Sequence, residues 1–194
     1  MGSYSVVIKG GMIVDGSGNP WFQGDIAVDG DRVAKVGALG KHEAEKVIDA
    51  KGMLVTPGFV DVHTHTDANF IINPKADSKI RQGVTTEIAG NCGASMSPVT
   101  DLGKSFAARR LEELGIDWDW YSVAEYLARL EKGGIPVNLG TLIGHGTIRS
   151  SVMGYEARAP SASELEDMKG LVDQGMKDGA FGFSTGIKYA PGVY

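Results

Sequence analysis

From Pro57 onward the sequence alternates short apolar runs of strand type with helical segments, and this alternation restricts the chain to parallel β/α architecture. Phe59 to His63, Gly83 to Ala89, Pro136 to Ile143 and Ala180 to Ser184 read as four strands, the last very short. A short helix is expected over Asn73–Arg81. Ser122 and Glu125 form an S-x-x-E capping box, and Val123, Tyr126, Leu127 and Leu130 recur on one helical face until Gly133-Gly134 ends it. A second box, Ser161 with Glu164, opens a helix whose Leu165, Met168, Leu171, Val172 and Met176 point inward and which stops at Gly179. Strands joined through helices run parallel. A closed eight-stranded barrel takes roughly 200 residues or more. Residues 56–194 therefore have room for about the first half of a (β/α)8 barrel, and the chain is expected to be the front part of a longer protein.

The first 55 residues have a different texture. Val6-Val7-Ile8, Met12-Ile13-Val14, Asp25 to Val28 and Arg32 to Val36 are short β-branched runs separated by Gly, Asp and Asn. That is a hairpin pattern, and a small antiparallel β-sheet module over 1–55 is expected. So few strands cannot bury both faces unaided.

Composition narrows the function classes. A formal net charge of -5 argues against a nucleic-acid partner, which needs a basic patch. Arg109-Arg110 is a short basic spot among acidic neighbours and reads as a solvated helix face. A single cysteine excludes an internal disulfide framework and suits a reducing, cytoplasmic location. No apolar stretch approaches the roughly 20 residues of a membrane span, and Met1-Gly2-Ser3-Tyr4 does not open like a signal peptide. The 28 glycines are about twice the usual share of roughly 7%, which implies many tight turns. Phosphate-loop, dinucleotide and nucleophile-elbow glycine patterns do not occur.

The sharpest chemical feature is Asp61-Val62-His63-Thr64-His65-Thr66-Asp67. Residues two apart on a strand share a face, so His63 and His65 are expected to aim two imidazoles at one point. Two convergent imidazoles begin a metal site. Asn91-Cys92-Gly93 ends the next strand, and a Cys92 thiolate at the same rim favours zinc over magnesium or calcium. His145, after the third strand, is read as a ligand, a substrate contact or a hydrogen-bonded rim residue. Glu87 is either a buried carboxylate behind the site or solvent-facing. Ser184-Thr185-Gly186 is a weaker candidate for contact with an anion or carboxylate.

The run Val7 to Gly18, followed by Thr56-Pro57-Gly58-Phe59-Val60-Asp61-Val62-His63-Thr64-His65, resembles the start of a metal-dependent amidohydrolase. Gln82-Gly83-Val84-Thr85-Thr86 with Gly90-Asn91-Cys92-Gly93 is similar to the N-acyl-D-amino-acid deacylases (D-aminoacylases) within that superfamily. Gly144 to Arg149 with Val152-Met153-Gly154, and Gly179 to Gly186 with Tyr189 to Gly192, extend the resemblance over essentially the whole chain. The resemblance implies a TIM-type (β/α)8 barrel with a small composite β domain, and one or two zinc ions held in part by His63, His65 and Cys92. Cys92 would replace the carboxylated lysine of hydantoinase-like relatives, and the fourth strand carries no lysine; Lys188 falls beyond it. Tyr189 would lie near the substrate carboxylate, with Ser184 and His145 also on the substrate side. The implied reaction is hydrolysis of N-acyl-D-amino acids to a carboxylate and a free D-amino acid. The family's later metal-binding histidines and its general-base aspartate come from strands beyond Tyr194. Residues 1–194 are accordingly expected to be inactive unless the rest of the chain or a second polypeptide completes the barrel. A cyclic-amide hydrolase of hydantoinase or dihydropyrimidinase type, and a non-catalytic truncated metal-binding protein, are the alternatives.

Overall fold

Two adjacent glycines between Lys9 and Met12 do not interrupt the first strand. In the computed structural model, β1 (Gly2–Ile13) runs straight through them, with its register against β2 (Phe22–Asp29) shifting between Ile8 and Gly11. What reads in sequence as two strands is thus one strand with a bulge. The structure describes residues 2–194; Met1 and the side chain of Arg110 lie outside the described part. β3 (Arg32–Gly37) pairs antiparallel with β2, as a hairpin should. β4 (His42–Asp49) and β5 (Leu54–Val55) were not legible as strands, and both pair with β1 in parallel. The module is therefore a mixed sheet, not a purely antiparallel one. Leu39, in the connection before β4, is buried with Val7 and Ala27. The connection that carries Leu39 crosses the sheet from β3 to deliver β4 beside β1, and burial of that leucine favours this path.

The chain divides into two units, 1–57 and 58–194. In the second, β6 (Phe59–Asp61) is followed by two single-turn helices, α1 (Asn69–Ile72) and α2 (Asp77–Ile80). β7 (Val84–Ala89) leads through a long loop to α3 (Asp101–Glu113) and then α4 (Val123–Gly133). β8 (Asn138–Gly144) passes directly into α5 (His145–Met153), and α6 (Ala162–Lys177) precedes β9 (Gly182–Ser184). The four strands form one sheet in the order β6-β7-β8-β9, parallel throughout. All their C-terminal ends therefore lie along one edge. Between β6 and β7 the register shifts by one residue after Phe59, which sets Asp61 abreast of Glu87.

Both helices announced by capping boxes are present, and the Ser122–Glu125 and Ser161–Glu164 pairs each bond reciprocally. On α4 the expected face is buried: Val123, Tyr126 and Leu130 are inaccessible or nearly so. Tyr126 and Leu130 pack with Phe70, Leu111, Ile116, Trp120 and Val137. On α6 the expectation holds only in part. Met168 is buried, whereas Leu165 and Met176 are each 43% exposed beside Phe183 along a surface groove. Arg109 is exposed and pairs with Glu113 at 3.0 Å across one helical turn, as a solvated face would. Among the described residues no helix is long and apolar enough to cross a membrane.

Arg158 grips both Glu164 carboxylate oxygens at 2.6 and 2.7 Å and helps hold that carboxyl down to about 2 from an ordinary 4.5. A depressed folded-state value means that the pair's contribution is complete above the unfolded value and is lost as pH falls through the folded one. The stability difference between wild type and Glu164→Gln should stay constant above pH 4.5 and close as pH approaches about 2, as measured by urea unfolding. Ser161→Ala, which removes the cap itself, should cost ~1 kcal/mol at neutral pH.

Candidate metal centre

The parallel sheet brings the loops after β6, β7 and β9 together at one edge. β6 ends at Asp61, so His63 and His65 sit in the loop just beyond it, not on the strand as the two-residue spacing suggests. Their rings are nonetheless 5.7 Å apart, edge to face. One ligand atom from each of His63, His65 and Cys92 lies within 4.8 Å of the others, and His63 Nε2 is 3.2 Å from Cys92 Sγ. Two ligands on one tetrahedral zinc, at usual bond lengths, stand about 3.5 Å apart. Two imidazoles and a thiol at this spacing fit zinc, because the soft sulfur disfavours hard oxygen-seeking cations.

Cys92 reaches this position at a conformational cost. Its φ is +56°, left-handed for a residue with a Cβ. Gly90 and Gly93 on either side are also left-handed, at +78° and +79°. A Cβ on Gly90 would stand 2.1 Å from the Leu142 carbonyl oxygen, and one on Gly93 would stand 2.8 Å from the Gly186 nitrogen. These loops thus pack backbone against backbone, and only glycine permits it. Asn91 completes the turn: its Nδ2 donates to the Ile88 carbonyl at 2.7 Å and to the Thr64 carbonyl at 3.3 Å. One side-chain amide thereby ties the cysteine loop to the backbone between the two histidines.

Ser184, Tyr189 and His145 stand around the same loops, each already engaged. Ser184 Oγ donates to the Gly90 carbonyl and accepts the Gly93 N–H at 2.9 Å. The Tyr189 hydroxyl donates to the Cys92 carbonyl. That bond uses its only proton. His145, the first residue of α5, lies with Nδ1 3.2 Å from Thr185 Oγ1 and is not in the three-residue cluster. Burial, reinforced by Arg149, moves its pKa below the ordinary histidine value. Beside these loops lies a cavity of about 260 Å³ whose walls include Gly93, Phe106, Trp118, Thr147, Tyr155 and Tyr189.

Behind the cluster the structure decides a choice that sequence left open. Glu87 is fully buried. Its Oε2 accepts the Thr66 hydroxyl at 2.6 Å, and Lys79 Nζ lies 3.8 Å away. Lys79, on α2, also meets Asp61 Oδ2 at 2.6 Å and Thr64 Oγ1 at 3.3 Å. The lysine holds the Asp61 carboxyl below its ordinary range, helped by the His63 N–H. Asp67 is buried too, and burial raises it to about 6, although the Gly90 N–H works the other way. Sequence reasoning did not single out Lys79 or Asn91. Lys79 lies 16 positions from His63 with no spacing signal, and Asn91 entered only as the residue before Cys92.

Residues 46–193 match the sequence pattern of the amidohydrolase family, and the chain belongs to that family. Among its relatives are N-acyl-D-glutamate deacylase of Alcaligenes xylosoxydans xylosoxydans, 37% identical over 96% of this chain and 38% of the relative. D-aminoacylase of the same organism is 36% identical over 97% of this chain and 39% of its own length. The crystal structure of a D-aminoacylase superposes with a TM-score of 0.89 at 36% identity, covering 98% of this chain and 40% of that one. N-acyl-D-glutamate deacylase from Bordetella bronchiseptica, solved with zinc and a phosphonate mimic of the tetrahedral intermediate, gives 0.88 at 36% identity, over the same shares of each chain. The fold is accordingly that of an amidohydrolase, with a parallel sheet that makes up part of a barrel, and the chain spans about two fifths of the length of these relatives.

The left-handed Cys92 backbone has a measurable consequence. Cys92→Gly should be more stable than Cys92→Ala by ~1 kcal/mol, because glycine alone escapes the steric cost of φ > 0. Thermal unfolding of the two metal-free variants checks this; equal midpoints would mean that the turn relaxes without strain.

Proposed function

We propose that this chain supplies the metal-binding start and one wall of the substrate site of a zinc-dependent hydrolase that cleaves N-acyl-D-amino acids to a carboxylate and a free D-amino acid. The convergence of His63, His65 and Cys92 within 4.8 Å carries this reading. The kinship to deacylases of N-acyl-D-glutamate and to D-aminoacylase supports the substrate class. His63 and His65 would hold the ion through neutral ring nitrogens and Cys92 through its thiolate. Zinc uptake at neutral pH would then release a proton from the thiol. When bound, zinc supplies Lewis-acid polarisation of the scissile carbonyl and a more acidic water.

The remaining residues orient and enclose. Tyr189, at the mouth of the Cys92 loop, would exchange its carbonyl partner for the substrate carboxylate. His145, kept neutral by burial, offers a hydrogen bond without adding charge near the cluster. Ser184 acts through the loop it braces: with Gly90 and Gly93 both bonded to its hydroxyl, it fixes where Cys92 points. Proton transfer to the leaving amine falls to a carboxylate outside residues 1–194. Asp61 is committed to Lys79 and the His63 N–H, and Asp67 is enclosed behind the histidine loop. A linear amide is favoured over a cyclic one because β9 carries no lysine and the thiol stands in the cluster.

The test uses the protein expressed from its full coding sequence. Elemental analysis should find zinc in the wild type and markedly less in Cys92→Ala and His63→Ala. Release of free amine should be seen from N-acetyl-D-amino acids and not from their L-enantiomers or from hydantoins. Unchanged zinc in Cys92→Ala would sink the ligand assignment, and preferential hydantoin opening would overturn the substrate class.

A further inference from the structure

The segment carrying the two histidines has two faces. His63 and His65 point into the donor cluster with Cys92. Thr64 and Thr66, between and after them, turn their hydroxyls into a separate network that none of the cluster's side chains joins. There the Lys79 ammonium donates to Thr64 Oγ1 at 3.3 Å and the Thr64 hydroxyl donates to Thr66 Oγ1 at 3.3 Å. The Thr66 hydroxyl in turn donates to Glu87 at 2.6 Å. Asp61 closes the other end, accepting Lys79 on one oxygen at 2.6 Å and the His63 N–H on the other at 3.2 Å. Every residue from Asp61 to Thr66 except Val62 and His65 is thus bonded to this network. Lys79 is its only cation, and it comes from α2, an element that contributes nothing to the donor cluster itself.

We propose that Lys79 is a positioning residue for the metal centre: by holding Asp61, Thr64 and Glu87 at once, its ammonium sets the spacing and direction of the His63 and His65 rings. The inference rests on the reading of His63, His65 and Cys92 as zinc ligands. Partners that orient metal ligands commonly change affinity ten- to a hundredfold when removed. Without the ammonium, Asp61 and Thr64 lose their shared donor, and Glu87 becomes a fully buried carboxylate with a single hydroxyl for company. Its Oε1 already has no partner. A buried charge left without its counter-ion destabilises the fold by a separate route, so the test must divide stability from positioning.

Three forms of the full-length protein make that division: wild type, Lys79→Met, and Lys79→Met combined with Glu87→Gln. The double variant removes the stranded charge together with its partner and keeps the shape. Each is measured for thermal stability, for zinc affinity by chelator competition, and for the cobalt(II) absorption spectrum. Lys79→Met is expected to lose stability and to bind zinc ten- to a hundredfold more weakly. The double variant should recover stability yet remain weak, with displaced cobalt ligand-field and thiolate charge-transfer bands. Wild-type zinc affinity and spectrum in the double variant would overturn the proposal, since Lys79 would then matter only to folding. A wild type that binds cobalt with no thiolate charge-transfer band would overturn the ligand reading itself, and the inference with it.

Discussion

Parallel pairing of β6, β7, β8 and β9 is the constraint from which the site follows. Because every strand runs the same way, each chain reversal at the sheet's C-terminal edge places a loop beside its neighbours. Residues far apart in sequence, such as His63, Cys92 and Ser184, meet there without any of them being near in the chain. The arrangement demands that loop backbones touch. Glycine at 90, 93 and 186 meets that demand, because a Cβ at each would stand within 3 Å of backbone across the gap. The glycine excess of the sequence is in this region a packing requirement of the rim.

The chemistry is layered behind that rim. The front layer is two imidazoles and a thiol; the back layer is Lys79, Asp61 and Glu87. Carboxylates are almost never fully buried unless paired, and losing one partner of a buried pair typically costs roughly 3–5 kcal/mol. Lys79 meets both carboxylates of that layer, Asp61 at 2.6 Å and the fully buried Glu87 at 3.8 Å. Tyr126 extends the same logic outward. Fully buried on α4, it donates its hydroxyl to the Asp67 carbonyl at 2.9 Å, which joins the helical core to the end of the histidine loop.

Much of this was legible in the residues. The capping boxes and the four strands of the second unit follow from local pattern, and His63, His65 and Cys92 could be named as candidates that meet at one rim. Periodicity tells which face is apolar, and the two-residue spacing tells that two side chains share a direction. It does not tell where a strand stops: β6 ends at Asp61, and the histidines converge because loop hydrogen bonds hold them, not because a pleat does. β4 stayed hidden because His42 to Asp49 alternates weakly and is rich in charge, and its pairing with β1 is set by a crossing that only Leu39 hints at. Lys79 was invisible for a related reason. An ion pair between a single-turn helix and a strand end leaves no periodic trace. Glu87 could be named as a candidate but not oriented, since which face of β7 is enclosed depends on the strands to either side.

The register shift between β6 and β7 has a consequence of its own. Counting evenly from the Phe59–Val84 pair would place Asp61 beside Thr86; the one extra residue on β7 puts Glu87 there instead. A neutral threonine at that place would leave Lys79 with a single carboxylate. The strand pair therefore works as a vernier. One residue of slippage, too small to alter the sheet's outline, decides which β7 side chain stands beside Asp61.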